Sequence, residues 1–378
     1  MGEQTPAGPE RLAELTDDDA WKQALRDVPR HMFTPETALA FPPMEWLDRS
    51  VDPDAWWAAV YRNTSLITQI DDGATELTRD SATRKVWAWS SSLSEPGAVL
   101  AFLDLLDPYP GDRVLEVGTG SGWTAGLLSA RLGSDNVTSV EVDEQLAKTA
   151  AANLAESGFE PHLRIGDGAQ GCAEQAPFDR VHVTCGVASI PYPWVEQMRP
   201  GGVLVAPWMH GAREGFRVRL VSVGDAAVGR VCGGASYMML RSQRAPLSPI
   251  EGDKRNAATR VDPRRIDQAN SGFSLALAGL LPGVSIKGGV INRTDDTFRM
   301  SLRELHSDSH AIVIQPASGG EAEVSQTGSR NLWDELEAAY LTWVGWGGPD
   351  QDRFGLTVDA TGQHVWLDSP DNRITEVQ

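Results

Sequence analysis

The sequence predicts an α/β protein: a parallel sheet covered by helices on both faces, with an antiparallel hairpin at its edge. Three observations predict it. Between Pro96 and Ser242, short apolar runs of strand length alternate with segments of helical periodicity. The buried run Val114-Leu-Glu-Val117 leads directly into a glycine-rich turn, Gly118-Thr-Gly-Ser-Gly122, and then a helix. The last two runs, 216–223 and 227–240, are joined by a turn too short for a helix, so they pair as neighbours.

Taken in order, residues 1–20 are polar and read as a loose end or a short helix starting near Pro9. Trp21 and Leu25 with flanking charges make 17–28 an amphipathic helix. Residues 40–93 carry Phe41, Trp46, Trp56, Trp57, Tyr61, Trp87 and Trp89, too many aromatics for a disordered linker, and are expected to form a folded cover over a groove. Helix 98–106, strand 113–117 and helix 123–132, stopped by Gly133, follow. Next come strand 137–142, the alanine-rich helix 143–157, strands 162–165 and 180–184, a helical turn at 193–198, and strand 202–206 after a Pro-Gly-Gly break. The polar, proline-containing stretch 242–265 reads as a boundary. Beyond it lie helices at 273–281 and 331–344 and strands at 298–305, 311–314 and 355–358. The expected domains are 1–93, an N-terminal helical segment and Trp-rich substrate cover; 94–242, the cofactor-binding core; and 243–378, an accessory α+β domain for substrate recognition or assembly.

Charge and composition exclude several classes. With 33 Lys+Arg against 52 Asp+Glu in 378 residues, the net charge is −19, which disfavours nucleic acid and anionic membrane as partners. No apolar run approaches the roughly 20 residues that span a bilayer. The N-terminus lacks the basic start and apolar stretch of a secretory signal. Cys172, Cys185 and Cys232 make neither a disulfide framework nor a zinc site, and fit a reducing cytoplasm. His306 and His310 stand four apart, but the Ser-Asp-Ser between them reads as a turn, so no metal site is expected.

The chemistry concentrates at the carboxyl ends of successive strands, where open α/β sheets bind ligands. A dinucleotide fingerprint needs a glycine where Trp123 stands, which argues against a pyrophosphate. A Gly118-x-Gly120-x-Gly122 turn instead suits a nucleoside with a small zwitterionic side chain, and S-adenosylmethionine is such a ligand. Glu141, at the end of the next strand, is the first choice for its ribose hydroxyls, with Asp143 better placed as a helix N-cap. Asp167, between Gly166 and Gly168, is a candidate for the adenine amino group or an ordinary turn. The expected cofactor contacts are Glu116, Gly118, Thr119, Gly120, Gly122, Trp123, Glu141, Asp167 and Gly168.

Several motifs carry a closer resemblance. Val28-Pro-Arg-His-Met-Phe-Thr-Pro-Glu36 is similar to the signature of protein-L-isoaspartate O-methyltransferases. Ser94-Glu-Pro96 resembles that family's Ser-x-Pro segment. Pro110 to Gly122, Gly166-Asp-Gly168, Ala176-Pro-Phe-Asp179, Ile190-Pro191 and Arg199-Pro-Gly-Gly202 also match, in the family's order. The resemblance covers roughly residues 20–242. It implies a class I methyltransferase fold, a Rossmann-like seven-stranded sheet, with Ser94 at the methyl-acceptor site and S-adenosylmethionine as cofactor, leaving S-adenosylhomocysteine.

A carboxylate acceptor is already ionised at neutral pH and needs no general base, so His31 needs only a structural role. The acceptor does need hydrogen-bond donors once buried. Ser94, Arg62 and the backbone around Cys185, Gly186, Val187 and Ala188 are the candidates, although Ser94 also suits an N-cap and Cys185 a packed thiol. The Trp-rich stretch 46–93 and residues 243–378 depart from the family pattern. Enlarged relatives of this kind resemble methyltransferases that tailor macrocyclised ribosomal peptides beside an ATP-grasp ligase (graspetides). That resemblance implies an ordinary aspartate acceptor whose methyl ester closes to a succinimide, or aspartimide. The alternatives are repair of isoaspartyl sites in damaged proteins and a catalytically silent cofactor- or peptide-binding module.

Overall fold

The computed structural model describes residues 8–82, 88–245, 250, 252–292 and 296–376. Trp87, residues 1–7 and part of the 242–265 connector lie outside the described residues. The chain divides into two compact units. One comprises Met1–Gly186, Pro193–Ala206 and Leu240–Ser242; the other comprises Val187–Tyr192, Pro207–Met239 and Gln243–Gln378.

The first unit opens with helices Pro9–Ala13 and Asp19–Asp27, the second capped by Asp18, which accepts from the Ala20 and Trp21 N–H groups. Strands β1 (Thr37–Phe41), β2 (Glu45–Asp48), β3 (Ser65–Ile70) and β4 (Trp89–Leu93) form an antiparallel sheet in the order β2-β1-β3-β4. The aromatics of this region divide between interior and surface. Trp56 and Tyr61 are buried, whereas Phe41 and Trp57 are exposed.

Helix Pro96–Leu106 leads into the parallel sheet: β5 (Val114–Val117), β6 (Val137–Glu141), β7 (His162–Ile165), β8 (Phe178–Val183) and β9 (Met198–Trp208). The order is β7-β6-β5-β8-β9, every neighbour parallel. All residues of β5 and β6 are buried, as strands covered on both faces must be. Helices Trp123–Leu132 and Glu144–Glu156 make the crossovers. Strand β9 starts four residues before Gly202, running through the Pro-Gly-Gly expected to break it. A register irregularity between Phe178 and Arg180, opposite Gly201 with φ 83°, accommodates the motif inside the strand.

In the second unit, β10 (Gly215–Ser222) and β11 (Ala226–Ala235) pair antiparallel as expected. A five-stranded antiparallel sheet follows, from β12 (Arg255–Thr259), β13 (Val284–Asn292), β14 (Thr297–Glu304), β15 (His310–Gln315) and β16 (Ala322–Thr327), in the order β12-β16-β15-β14-β13. The hairpin expected at a sheet edge is not an edge. Strand β17 (Phe354–Asp359) pairs antiparallel along β11, and β18 (Gly362–Leu367) pairs with β17. The late strands therefore group with β10 and β11 across the boundary anticipated at 242. His306 lies in a turn and His310 opens β15. Among the described residues, no helix is long and apolar enough to cross a membrane.

Candidate cofactor and acceptor site

Beyond β5 the chain reverses through Gly118, Gly120 and Gly122, all at positive φ (98°, 56° and 92°). A Cβ on Gly118 would stand 2.5 Å from Thr184 Oγ1, so both conformation and space require glycine there. Glu141, at the end of β6, accepts the N–H of Gly120 (2.9 Å) and of Asp143 (3.0 Å). One buried carboxylate thus fixes the turn. Asp143 caps helix Glu144–Glu156 and also accepts from Gln69 and Arg241, each at 3.0 Å. Burial pushes its carboxyl up, but the bonds from Gln69, the Leu146 N–H and Arg241 outweigh that and hold it below the usual range.

Beneath the turn, Glu116 is fully buried in β5. Ser139 Oγ donates to its Oε2 (2.5 Å) and lies 2.6 Å from Thr119 Oγ1. Its other oxygen has no partner. Burial, reinforced by the Glu141 charge, pushes the carboxyl up to about 8. An unpartnered buried acceptor beside a glycine turn fits a ligand that brings a donor or a positive charge. After β7, Asp167 accepts from the Ala169 N–H and the Ser242 hydroxyl, both at 3.0 Å. Gly168 is buried, its carbonyl held by Trp194 Nε1 at 2.8 Å. The Trp123 indole points away from these groups. It is buried, donates to the Val28 carbonyl (3.1 Å) and lies 5.2 Å from the Arg30 guanidinium, so it packs with the N-terminal signature.

On the acceptor side, Ser91 Oγ and the Ser92 carbonyl lie 3.9 Å from where a Gly120 Cβ would stand, which brings the end of β4 to the glycine turn two residues before Ser94. Glu95, not Ser94, is the cap residue of helix Pro96–Leu106, and no side chain caps it. The Ser94 hydroxyl is therefore not spent on the helix. Its carbonyl accepts from Arg30 Nη2 at 2.9 Å. Arg30 is fully buried and also donates to the carbonyls of Val60 (2.8 Å) and Thr64 (3.0 Å). Burial lowers this guanidinium to about 9. Asn63 completes the tie, donating to Glu95 and accepting the Gly97 N–H, both at 2.7 Å. Arg62 is engaged by Glu45 (2.7 Å), so an acceptor carboxylate would have to compete for it. His31 Nδ1 meets Tyr61 Oη at 2.6 Å, and burial with nearby Arg49 keeps its pKa below the usual value.

After β8, Thr184 Oγ1 donates to the carbonyls of Val117 (3.0 Å) and Gly118 (2.5 Å). Burial, reinforced by the charges of Glu141 and Asp167, pushes the Cys185 thiol up to about 12, so no thiolate forms near neutrality. The Gly186 carbonyl accepts from the Leu240 N–H at 2.8 Å. The expected donors at Val187 and Ala188 are already committed within the second unit: the Val187 N–H to the Pro207 carbonyl (2.9 Å), the Ala188 N–H to Gln243 Oε1 (2.8 Å). Sequence reasoning missed two contributors. Arg30 stood in the quoted signature, but nothing there marked its charge as buried against carbonyls. The turn at Arg241–Gln243, whose Arg241 holds Asp143 and whose Ser242 holds Asp167, carries no motif at all.

The family pattern described as protein-L-isoaspartate(D-aspartate) O-methyltransferase matches residues 63–243. Protein-L-isoaspartate O-methyltransferase 2 of Archaeoglobus fulgidus is 31% identical over 188 residues, 49% of this chain and 68% of that protein. The Opitutus terrae protein-L-isoaspartate O-methyltransferase is 36% identical over 191 residues, 50% of this chain and 65% of that one. The Pyrococcus horikoshii protein of the same name is 42% identical over 117 residues, 31% of this chain, and the match spans about half of it, 53%. A solved structure entitled protein-L-isoaspartate O-methyltransferase shares the fold over 96% of this chain and 100% of its own, with TM-score 0.55 at 18% identity. On the motifs and the match to the Archaeoglobus protein, this chain belongs to the protein-L-isoaspartate O-methyltransferase family.

Proposed function

We propose that the chain is an S-adenosylmethionine-dependent carboxyl O-methyltransferase that acts on L-isoaspartyl residues of proteins and peptides. The observation that carries this reading is the meeting of the glycine turn with the end of β4, where Ser91 and Ser92 border Gly120 and Ser94 follows with an uncommitted hydroxyl. Family membership supports the same reading.

Glu141 is the candidate for the ribose hydroxyls, Asp167 for the adenine amino group, and Glu116 with the glycine turn for the amino-acid end. S-adenosylmethionine bound there supplies an electrophilic methyl group on a sulfonium. The protein's task is placement and exclusion of water, because an isoaspartyl residue exposes a free α-carboxylate that is already the nucleophile. Ser94 orients that carboxylate by donating its hydroxyl proton as a hydrogen bond. Arg30 fixes the Ser94 backbone, and Asn63 fixes the start of the helix behind it.

The narrower reading, an aspartate in a macrocyclised ribosomal peptide that proceeds to an aspartimide, rests on stretch 46–93 and residues 243–378. A solved structure of the isoaspartate family name that aligns with 96% of this chain makes the C-terminal region a weak reason for a different substrate. The test is kcat/KM on three peptides: isoaspartyl, its aspartyl isomer, and a side-chain-cyclised aspartyl peptide. Preference for the first supports the isoaspartyl reading; preference for the third moves the acceptor to the macrocycle; labelled methyl on none of them refutes methyl transfer.

A further inference from the structure

Three consecutive residues, Leu240–Ser242, tie three strand ends together, all within the first unit. The Leu240 N–H donates to the carbonyl of Gly186, after β8, at 2.8 Å. Arg241 Nη2 donates to Asp143 Oδ2, after β6, and the Ser242 hydroxyl to Asp167 Oδ1, after β7, both at 3.0 Å. The sheet order is β7-β6-β5-β8. A tripeptide held at β8 on one side and at β6 and β7 on the other therefore passes the end of β5, where the glycine turn stands.

Arg241 also holds a second segment. Its Nε pairs with Asp72 at 3.1 Å, and its Nη2 donates to Gln69 Oε1 at 3.1 Å. Asp143 Oδ1 is taken by the Gln145 and Leu146 N–H groups, so its Oδ2 is the anchor that Gln69 and Arg241 share. Asp71, Asp72 and Gly73 lie consecutively at positive φ (49°, 54° and 84°). Two non-glycine residues in that region persist only where their surroundings hold them. Arg241 thus fastens loop 71–73 to the end of β6, two residues past Glu141, which itself accepts the Asp143 N–H.

We propose that Arg241 is a positioning residue for the cofactor. It latches residues 240–242 and loop 71–73 onto the carboxyl edge of the sheet, and the cofactor product leaves only when the ion pairs with Asp72 and Asp143 open. This rests on the methyltransferase reading above, in which the cofactor lies at the glycine turn and Glu141. The Arg241 side chain is 24% exposed, so its ion pairs weaken as salt rises. S-adenosylhomocysteine carries no net charge at neutral pH, so a salt-dependent release of that ligand reports on the latch.

The experiment uses the full chain with Arg241→Gln, Arg241→Lys, Asp72→Asn and the Arg241→Gln/Asp72→Asn double variant. It reads the S-adenosylhomocysteine off-rate by stopped-flow displacement at low and high salt, and KM for an isoaspartyl peptide. Arg241→Gln is expected to speed release about 5- to 20-fold at low salt, with the peptide KM within about twofold. Arg241→Lys recovers little, since a point charge cannot serve three acceptors at once. Asp72→Asn speeds release in the same direction, and the double variant is no faster than Arg241→Gln. Salt speeds release from the parent and not from Arg241→Gln. A parent-like off-rate in Arg241→Gln, or a salt response that survives there, overturns the inference. Equal losses for peptide and cofactor with a lower unfolding temperature also overturn it, in favour of a plain buttress. If the parent binds no S-adenosylhomocysteine, the cofactor reading fails and the inference with it; binding with unaltered off-rates fails the inference alone.

Discussion

Glu141 does two jobs that can be separated by measurement. It holds the glycine turn through the Gly120 N–H, and it is the proposed ribose partner. Glu141→Ala should weaken S-adenosylmethionine binding by about 1.5–3 kcal/mol, the scale of charge-assisted hydrogen bonds, as read by titration calorimetry. Ser94→Ala should leave that affinity nearly intact and lower kcat/KM for the peptide about 10- to 100-fold; a parent-like rate would deny it the acceptor. Glu116 makes a prediction about pH. Its folded pKa, about 8, lies above the ordinary carboxylate value, so the native state binds more protons than the unfolded one between them. This group's contribution to stability is therefore present at low pH and lost as pH rises towards about 8. Glu116→Gln should flatten that fall in the unfolding midpoint of the ligand-free protein, and an unchanged pH profile would place the ionisation elsewhere. The three glycines and the acids at 141 and 167 were legible in the sequence because strand ends and turn glycines leave a local pattern. The position of Trp123 in the turn says nothing about which way its indole packs.

At the scale of elements, Arg30 joins three segments that the sequence could not bring together. Its guanidinium reaches carbonyls at Val60, Thr64 and Ser94 and lies over the Trp123 ring. Arg30→Met should cost about 2–4 kcal/mol in chemical denaturation, because the buried carbonyls lose their donor. Arg30→Lys should recover little, since a point charge cannot fork between them. Gly168→Ala would place a Cβ 2.6 Å from Val117 Cγ1. Strand β7 and Asp167 would have to shift, so reduced cofactor affinity is expected alongside lost stability. The helices of the parallel-sheet region and its central strands were readable from periodicity, whereas helices Pro53–Val60 and Pro263–Asp267 were not. Nor were strands β12, β13 and β16: β12 is almost wholly exposed, β13 contains Gly288-Gly289, and β16 ends in three polar residues, Ser325-Gln-Thr327, so their apolar signal is weak.

At the scale of the whole molecule, the proline-containing stretch 242–265 reads as a boundary before an accessory domain, as though that domain stood apart. Pairing between β11 and β17 argues otherwise, because a cut there bares one side of β11 and removes Gln363, which accepts the Ile190 N–H. A chain ending at Ala245 should unfold at least about 10 °C lower than the full chain or fail to remain soluble. A fragment that melts like the full chain would show the region to be separable. A domain boundary read from composition misses such pairing, since strands that meet across more than a hundred residues leave no local trace in the connector between them. Methyl transfer to the isoaspartyl carboxylate is read by tandem mass spectrometry. An isoaspartyl peptide treated with the full chain and S-adenosylmethionine should carry one base-labile methyl ester, located on the free α-carboxyl group. A methyl group on nitrogen or on another side chain, or an unmodified peptide under conditions where the cofactor binds, would contradict it.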